Sequence, residues 1–460
     1  MAKMTDIPGA LLRRWTLAAV LGAAWVGAGP LFGADAPPPA PQPKVATLAL
    51  SRGALADEGY ELRWTNQAPL KDAGAGPIEE IWALGSIVLG RTADNQLVAF
   101  DADTGAFRWI RPGGRSDKPM LMPTFSKGKV YIVVHDQVRR IDAKTGALEA
   151  EFKLAFLPCT GYIREGDTAI IGAHNDRLYF LDGDKGYRIW SRVLDGYLPY
   201  TPVTDEPDDR GERKKVYFSD SKGRVYSYSM NRVPYWQFPA IDEQIGLVSG
   251  PLSKVPSPYQ LLLIPTDDNS LFAVSQQTGR RRWQKRGNSP FRESAAAVLH
   301  PDQDRVYVRN NDGVMFALDP NRGEDVWEFP QAGKFLCAAR NSTFSIFLLN
   351  PDGSISEIIS NPYKSKDITG EDKVAYRPKV QSRFVLGDLK LFVVNTEDPI
   401  LFGATPDGQF AAVRMGDGEI RTRKKDEMPW QPKLTTLTPA KKKDKDAKKE
   451  EVKKDDAGNN

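Results

Sequence analysis

The segment Ala99-Phe100-Asp101-Ala102-Asp103-Thr104-Gly105, closed by Trp109, returns along most of this chain, and no other feature limits its fold so sharply. Related copies read Ile141-Asp142-Ala143-Lys144-Thr145-Gly146 and Leu181-Asp182-Gly183-Asp184-Lys185-Gly186 ending at Trp190. Two more read Ala273-Val274-Ser275-Gln276-Gln277-Thr278-Gly279 ending at Trp283, and Ala317-Leu318-Asp319-Pro320-Asn321-Arg322-Gly323 ending at Trp327. The glycines fall roughly 40 to 47 residues apart, or twice that across a worn copy, which is the period of a four-stranded propeller blade. A repeat array folds as one body, so most of the 460 residues are expected in one large domain.

Each copy carries a β-branched or aromatic run, a polar turn, a second alternating run, a glycine turn and a strand ending in an aromatic residue. Val306-Tyr307-Val308-Arg309, Asn310-Asn311-Asp312-Gly313 and Val314-Met315-Phe316-Ala317-Leu318 show this order. Asp-Gly and Asn-Gly tolerate positive φ, and alternation marks half-buried strands, so each copy predicts antiparallel hairpins. Eight copies are counted, with central turns near Asn95, Asp136, Asp176, Gly223, Asn269, Gly313, Gly353 and Gly408. The expected fold is all-β, an eight-bladed propeller of four-stranded antiparallel blades, with seven blades as the runner-up.

Three copies are worn. The fourth, through Val225-Tyr226-Ser227-Tyr228 to Trp236, lacks the glycine. In the seventh the glycine is placed at Gly370, after an insertion containing Asn361-Pro362-Tyr363-Lys364, with Tyr376 in place of tryptophan. The eighth ends at Thr422 where tryptophan belongs. Tyr60-Glu61-Leu62-Arg63-Trp64 resembles a final strand with nothing before it, and is expected to complete the last blade by joining the chain's two ends. The competing arrangement puts Ile420–Arg423 on that edge.

The termini read differently. Residues 1–36 carry Lys3, Arg13 and Arg14, an apolar run from Leu17 to Val26, and then small residues, the order of a secretory signal or an N-terminal anchor. The run is short against the ~20 residues of a spanning helix. Residues 37–47 form a proline-rich linker, 48–430 the propeller, and 431–460 a disordered tail of Lys, Asp, Glu and Ala. Export to the periplasm or cell envelope is the expected localisation. The formal net charge of +4 is small for this length and sits largely in the tail, which argues against nucleic-acid binding.

The pattern Ala/Leu-x-Asp-x-x-Thr-Gly-x-x-x-Trp resembles the tryptophan-docking repeat of the pyrroloquinoline-quinone propeller superfamily, over about residues 60–423. That superfamily holds quinoprotein alcohol dehydrogenases and noncatalytic relatives such as the BamB scaffold. The resemblance gives interblade packing to Trp109, Trp190, Trp283 and Trp327, and turn formation to Gly105, Gly186, Gly279 and Gly323. A large flat aromatic repeated once per blade is an efficient filler between twisted sheets, so the residues themselves agree.

No catalytic, cofactor-binding or metal-ligating residue is assigned. A quinoprotein dehydrogenase needs carboxylate and amide oxygens around calcium beside the quinone. Many also carry a Cys-Cys pair, which is absent here. Asp267-Asp268-Asn269 and Asp208-Asp209 are acidic but sit where polar turns are expected. His135-Asp136 and His174-Asn175-Asp176 occupy equivalent turns, and His300 is the third and last histidine. Cys159 and Cys337 fall in copies three and seven, opposite each other in an eight-bladed ring, so no disulfide is expected. Arg280-Arg281-Arg282 and Arg421-Thr422-Arg423-Lys424-Lys425 read as solvated strand and tail.

The leading expectation is a noncatalytic, monomeric interaction scaffold with protein partners and no cofactor. The alternatives are a divergent quinone- and calcium-dependent oxidoreductase, or a carbohydrate-binding module using Tyr197, Tyr200 and Tyr235.

Overall fold

Polar turns that admit positive φ punctuate the chain, and each one folds two alternating strands together. In a computed structural model, all eight central turns hold such a residue: Asn95, His135, Asp176, Gly223, Asn269, Gly313, Gly353 and Gly408. The structure describes residues 45–206, 214–240, 243, 245–299, 304–339, 345–366, 372–394 and 399–416. The signal, Asp208-Asp209, His300, Gly370, Ile420–Arg423, the Arg421–Lys425 cluster and the tail lie outside them.

Blade one is typical, with strands Ile78–Leu84, Ile87–Thr92, Gln96–Asp101 and Phe107–Pro112 paired antiparallel in chain order. Its two middle strands are buried on both faces, as at Ile87-Val88-Leu89 and Leu97-Val98-Ala99-Phe100. The reason is that each blade is sandwiched between its neighbours. The core is accordingly a set of layers between blades; one unites Trp64, Phe402, Phe410 and Ala412 of blade eight with Val88, Val98 and Phe100 of blade one. The described residues form eight blades, so the ring has eight rather than seven.

Ring closure follows the expected route. Glu61–Gln67 pairs with Gln409–Arg414 as the outer strand of blade eight, with Trp64 opposite Ala412. Trp64 thereby supplies the tryptophan that the C-terminal end of the chain was expected to lack. The described chain begins within the segment expected as linker, and Ala46–Leu48 forms a parallel fifth strand on Phe384–Leu386 of blade seven. A short helix, Arg52–Ala56, capped by Ser51, links Ala46–Leu48 to Glu61–Gln67.

The repeated tryptophan docks on the next blade. The indole N–H of Trp64 donates to Ala102 O at 2.9 Å, Trp109 to Ala143 O at 3.0 Å, Trp236 to Gln276 O at 3.1 Å and Trp283 to Pro320 O at 2.9 Å. Each acceptor follows the turn's Asp or Ser, and each indole covers the turn glycine: Gly105, Gly146, Gly279 and Gly323. The glycines stand at φ near +70°, and any Cβ there would meet the indole well inside contact distance. The Asp of the turn caps it, as Asp101 does by accepting the N–H groups of Asp103 and Thr104.

Where the repeat is worn, the packing changes. In blade two Ala150 stands opposite Arg140 in the tryptophan position, and Phe152, two residues on, covers Gly186 instead. Trp190 meets a fourth blade whose glycine position holds Arg232 at φ +75°, and it is only half-buried. In blade seven the expected Tyr376 is not the tryptophan equivalent: it pairs with Pro362. That position, counted from the central turn, belongs to Ser382 opposite Glu357.

Candidate interaction surface

In blades one, two, three, five and six the third strand ends in a five-residue turn that opens with Asp or Ser and closes with Gly. In blade seven it does not turn. Ile355–Lys366 pairs with Asp372–Leu386 through to Lys366 opposite Asp372, whereas the neighbouring strand Ser345–Leu349 covers only Ile355–Ile359. The hairpin therefore projects past the sheet as a two-stranded arm, on the face that carries the tryptophan-docking turns.

The arm is clamped at its base. Ser360, seven residues past Gly353 as Ala102 is past Asn95, accepts the Trp327 indole N–H at 3.0 Å. Arg305 lies 5.2 Å from the Tyr376 ring centre, and Tyr376 and Val380 pack against the blade-six layer that holds Trp327. Farther out, Arg377 stacks over Tyr363 at 4.6 Å and Val374 is 62% exposed. Pro362 removes one N–H from the arm, which suits an edge strand. An arm fixed at its root, with aromatic, aliphatic and guanidinium groups exposed, offers specific contact chemistry to a protein.

The other residues singled out by the sequence sit in local contacts. His135 Nδ1 lies 3.2 Å from Asp136 Oδ1, and the His174 ring is 6.4 Å from Tyr197, each at its own turn. Asp267 accepts the Leu247 N–H at 2.7 Å and Asp268 accepts the Thr266 hydroxyl. Arg281 pairs with Glu243 at 3.3 Å. Among the described residues no group of three or more His, Cys, Asp or Glu is placed to hold a metal. Cys159 and Cys337 are free thiols. Tyr197 and Tyr235 are exposed but Tyr200 packs into the layer between blades four and five, so the three tyrosines do not make one stacking platform.

Two cavities among the described residues bear on this surface. One of about 260 Å³ is built from the inner strands of blades two to five, with Met122, Thr124, Ile163, Val203 and Lys254 in its wall. The other, of about 930 Å³, lies at the seam where the chain's ends meet, beside Arg52, Tyr60, Glu61, Arg63 and Arg414. Glu61 bridges Arg63 and Arg414 at 3.5 Å each, so the seam's charge is partly satisfied internally. No described helix is long and apolar enough to cross a membrane.

A family model described as outer membrane protein assembly factor BamB matches residues 54–232 and 222–353. The chain belongs to this family. The BamB match ends at Gly353, before the arm begins. Among solved structures, BamB from Moraxella catarrhalis superposes with a TM-score of 0.54 at 16% identity, covering 78% of this chain and 99% of that one. The C-terminal WD40 domain of Sif2 gives 0.54 at 13% identity over 78% and 99%, and the computationally designed Ika8 protein 0.51 at 14% over 74% and 97%. At such identities these likenesses show the propeller fold alone. No curated protein sequence matches the chain.

In the sequence the arm shows only as an insertion. Its strand character was hidden by Asn361-Pro362, which reads as a turn.

Proposed function

We propose that this BamB-family propeller is exported and acts as a noncatalytic, monomeric protein-interaction scaffold at the bacterial cell envelope, binding neither quinone nor calcium. The arm of blade seven carries the reading. Its root is clamped by Trp327 and Arg305 while Tyr363, Val374 and Arg377 face outward. Aromatic and arginine side chains on a rigid support are the groups that dominate protein interfaces. Family membership supports the same role, because a scaffold requires a durable ring and specific projections rather than a reaction centre.

The test is photo-crosslinking in cells from Tyr363 and Val374, with Glu328 on the blade-six rim as the control. A discrete protein adduct from the arm, in the periplasmic fraction, is the expected result. Adducts no stronger than the control, together with stoichiometric binding of pyrroloquinoline quinone and calcium and dye-linked alcohol oxidation, would overturn the proposal.

A further inference from the structure

Every propeller blade leaves its outermost strand with one unpaired edge, and natural sheets blunt such edges with proline, charge or a covering segment. Most blades here do so. The outer strand of blade one ends in Pro112 and that of blade four begins with Pro234. Blade two exposes Glu149, Glu151 and Lys153, blade five Arg281, Arg282 and Arg286, and blade six Asp325 and Glu328. Blade seven carries Ala46–Leu48 on its edge, and blade eight shows Glu61, Thr65, Asn66 and Gln67.

Against the four basic residues on the outer strand of blade five, blade three has two arginines and is the least protected. Its outer strand, Arg188–Val193, has no proline, no acid and no lysine, and it exposes Ile189 and Val193 beside the exposed Tyr187. Leu194 N–H donates inward to Asp176 O at 2.9 Å. Amide direction alternates along an antiparallel strand, so Trp190 and Arg192 also face inward while Ser191 and Val193 turn their N–H and C=O groups out. A bulge at Ile189 lies between the Arg188–Leu181 and Trp190–Phe180 pairs and puts Arg188 and Arg192 on opposite faces of the blade.

Both arginines are exposed and neither makes an ion pair among the described residues. Nearby acids are already committed: Asp184 to Arg140 and Arg164, and Asp195 to Arg224. The edge thus combines open backbone groups, β-branched side chains and two uncompensated positive charges.

We propose that the outer strand of blade three is a strand-addition site for an extended, acidic, β-branched segment of a partner protein. The added strand takes its backbone hydrogen bonds from Ser191 and Val193. Its acidic side chains meet Arg188 on one face and Arg192 on the other, and its apolar residues cover Val193 and Ile189. Strand addition draws affinity from the backbone and specificity from alternate side chains. A second copy of this chain is a poorer occupant, because antiparallel self-pairing of Arg188–Val193 gathers four arginines on one ribbon with no acid. The surface is separate from the arm, so the two proposals stand or fall independently.

The experiment titrates the purified full-length chain with a labelled capped peptide, Thr-Val-Glu-Thr-Val-Glu-Thr, whose glutamates three positions apart fall on opposite faces of an extended strand, reading anisotropy and amide exchange. Saturable binding is expected, with slowed exchange at Ser191 and Val193. Val193→Pro removes an outward N–H without touching the inner ladder, and is expected to weaken binding at least about tenfold. The double variant R188E/R192E is expected to reject this peptide and accept the version with Lys in place of Glu. Arg192→Gln keeps the backbone edge and is expected to fold normally with an intermediate affinity. Binding that Val193→Pro leaves unchanged, or that follows charge without protecting the two amides, would overturn the proposal. So would a dimer of the unmodified chain that Val193→Pro dissociates, since the occupant would then be a second copy.

Discussion

Tyr60 and Ser382 face each other across the junction of blades seven and eight, their hydroxyl oxygens 3.4 Å apart. Counted back from Trp64, Tyr60 stands where other copies have glycine; opposite Glu357, Ser382 stands where they have tryptophan. Large and small have changed sides. The Tyr60 ring packs on Phe347 and Phe384, and its hydroxyl donates to Glu357 Oε2 at 3.2 Å. Burial, reinforced by the Glu357 charge, pushes the phenol up, so it remains a donor at ordinary pH.

Restoring the usual pair should therefore work only in combination. Tyr60→Gly alone is expected to cost about 3–5 kcal/mol by leaving an aromatic-sized cavity, and Ser382→Trp alone about 1–3 kcal/mol by overpacking. The double variant is expected to lose clearly less than the sum, a coupling that urea unfolding of the four proteins measures. Additive losses would contradict an exchange of roles.

Glycines at similar φ should differ in cost according to what lies over them. Gly105 has φ +71°, and a Cβ there would fall 2.3 Å from the Trp64 ring; Gly128 has φ +74° and nothing within 4 Å. Gly128→Ala is expected to cost about 1–2 kcal/mol from left-handed strain alone. Gly105→Ala is expected to cost that plus about 1–3 kcal/mol of overpacking, and to red-shift and broaden tryptophan emission as Trp64 is displaced.

Acid sensitivity should map to the capped turns. Desolvation pushes the Asp101 carboxyl up, but the Thr104 N–H and the Arg108 guanidinium outweigh it and hold the group at about 2. A carboxyl depressed on folding contributes stability that is fully present above its unfolded value of about 4 and is lost as pH falls towards 2. Asp101→Asn is expected to lower stability at pH 7 and to flatten the fall between pH 4 and 2, read by thermal midpoints across that range. An unchanged slope would assign the acid sensitivity elsewhere.

The ring was legible because its signals are local and repeated: a turn residue at positive φ, an alternating strand on each side and a glycine at fixed spacing before an aromatic. The Tyr60 strand was legible for the same reason, since it keeps Trp64 at the right offset. Blade seven was not. Its tryptophan position is a serine, so Tyr376, the first aromatic after Gly370, stands in for it in the sequence, although it clamps the arm. The partner edge on blade three was hidden too. Arg188-Ile189-Trp190-Ser191-Arg192-Val193 has the composition of any half-buried strand, and only the ring geometry shows that Ile189 and Val193 stay in solvent.

The two cysteines test the blade count chemically. Cys159 lies before the inner strand of blade three and Cys337 within that of blade seven, four blades apart in a ring of eight, and both are free. Desolvation pushes the Cys159 thiol up to about 11, despite the Leu198 carbonyl contact, and the Cys337 thiol up to about 12. Reactivity follows the thiolate, so at pH 8 the folded chain is expected to react very slowly with a thiol reagent. Unfolding in urea should release two fast equivalents. A disulfide needs Cα atoms within about 7 Å, so non-reducing electrophoresis should show the same mobility with and without reductant. A native Cys159–Cys337 bond would be incompatible with an eight-bladed ring.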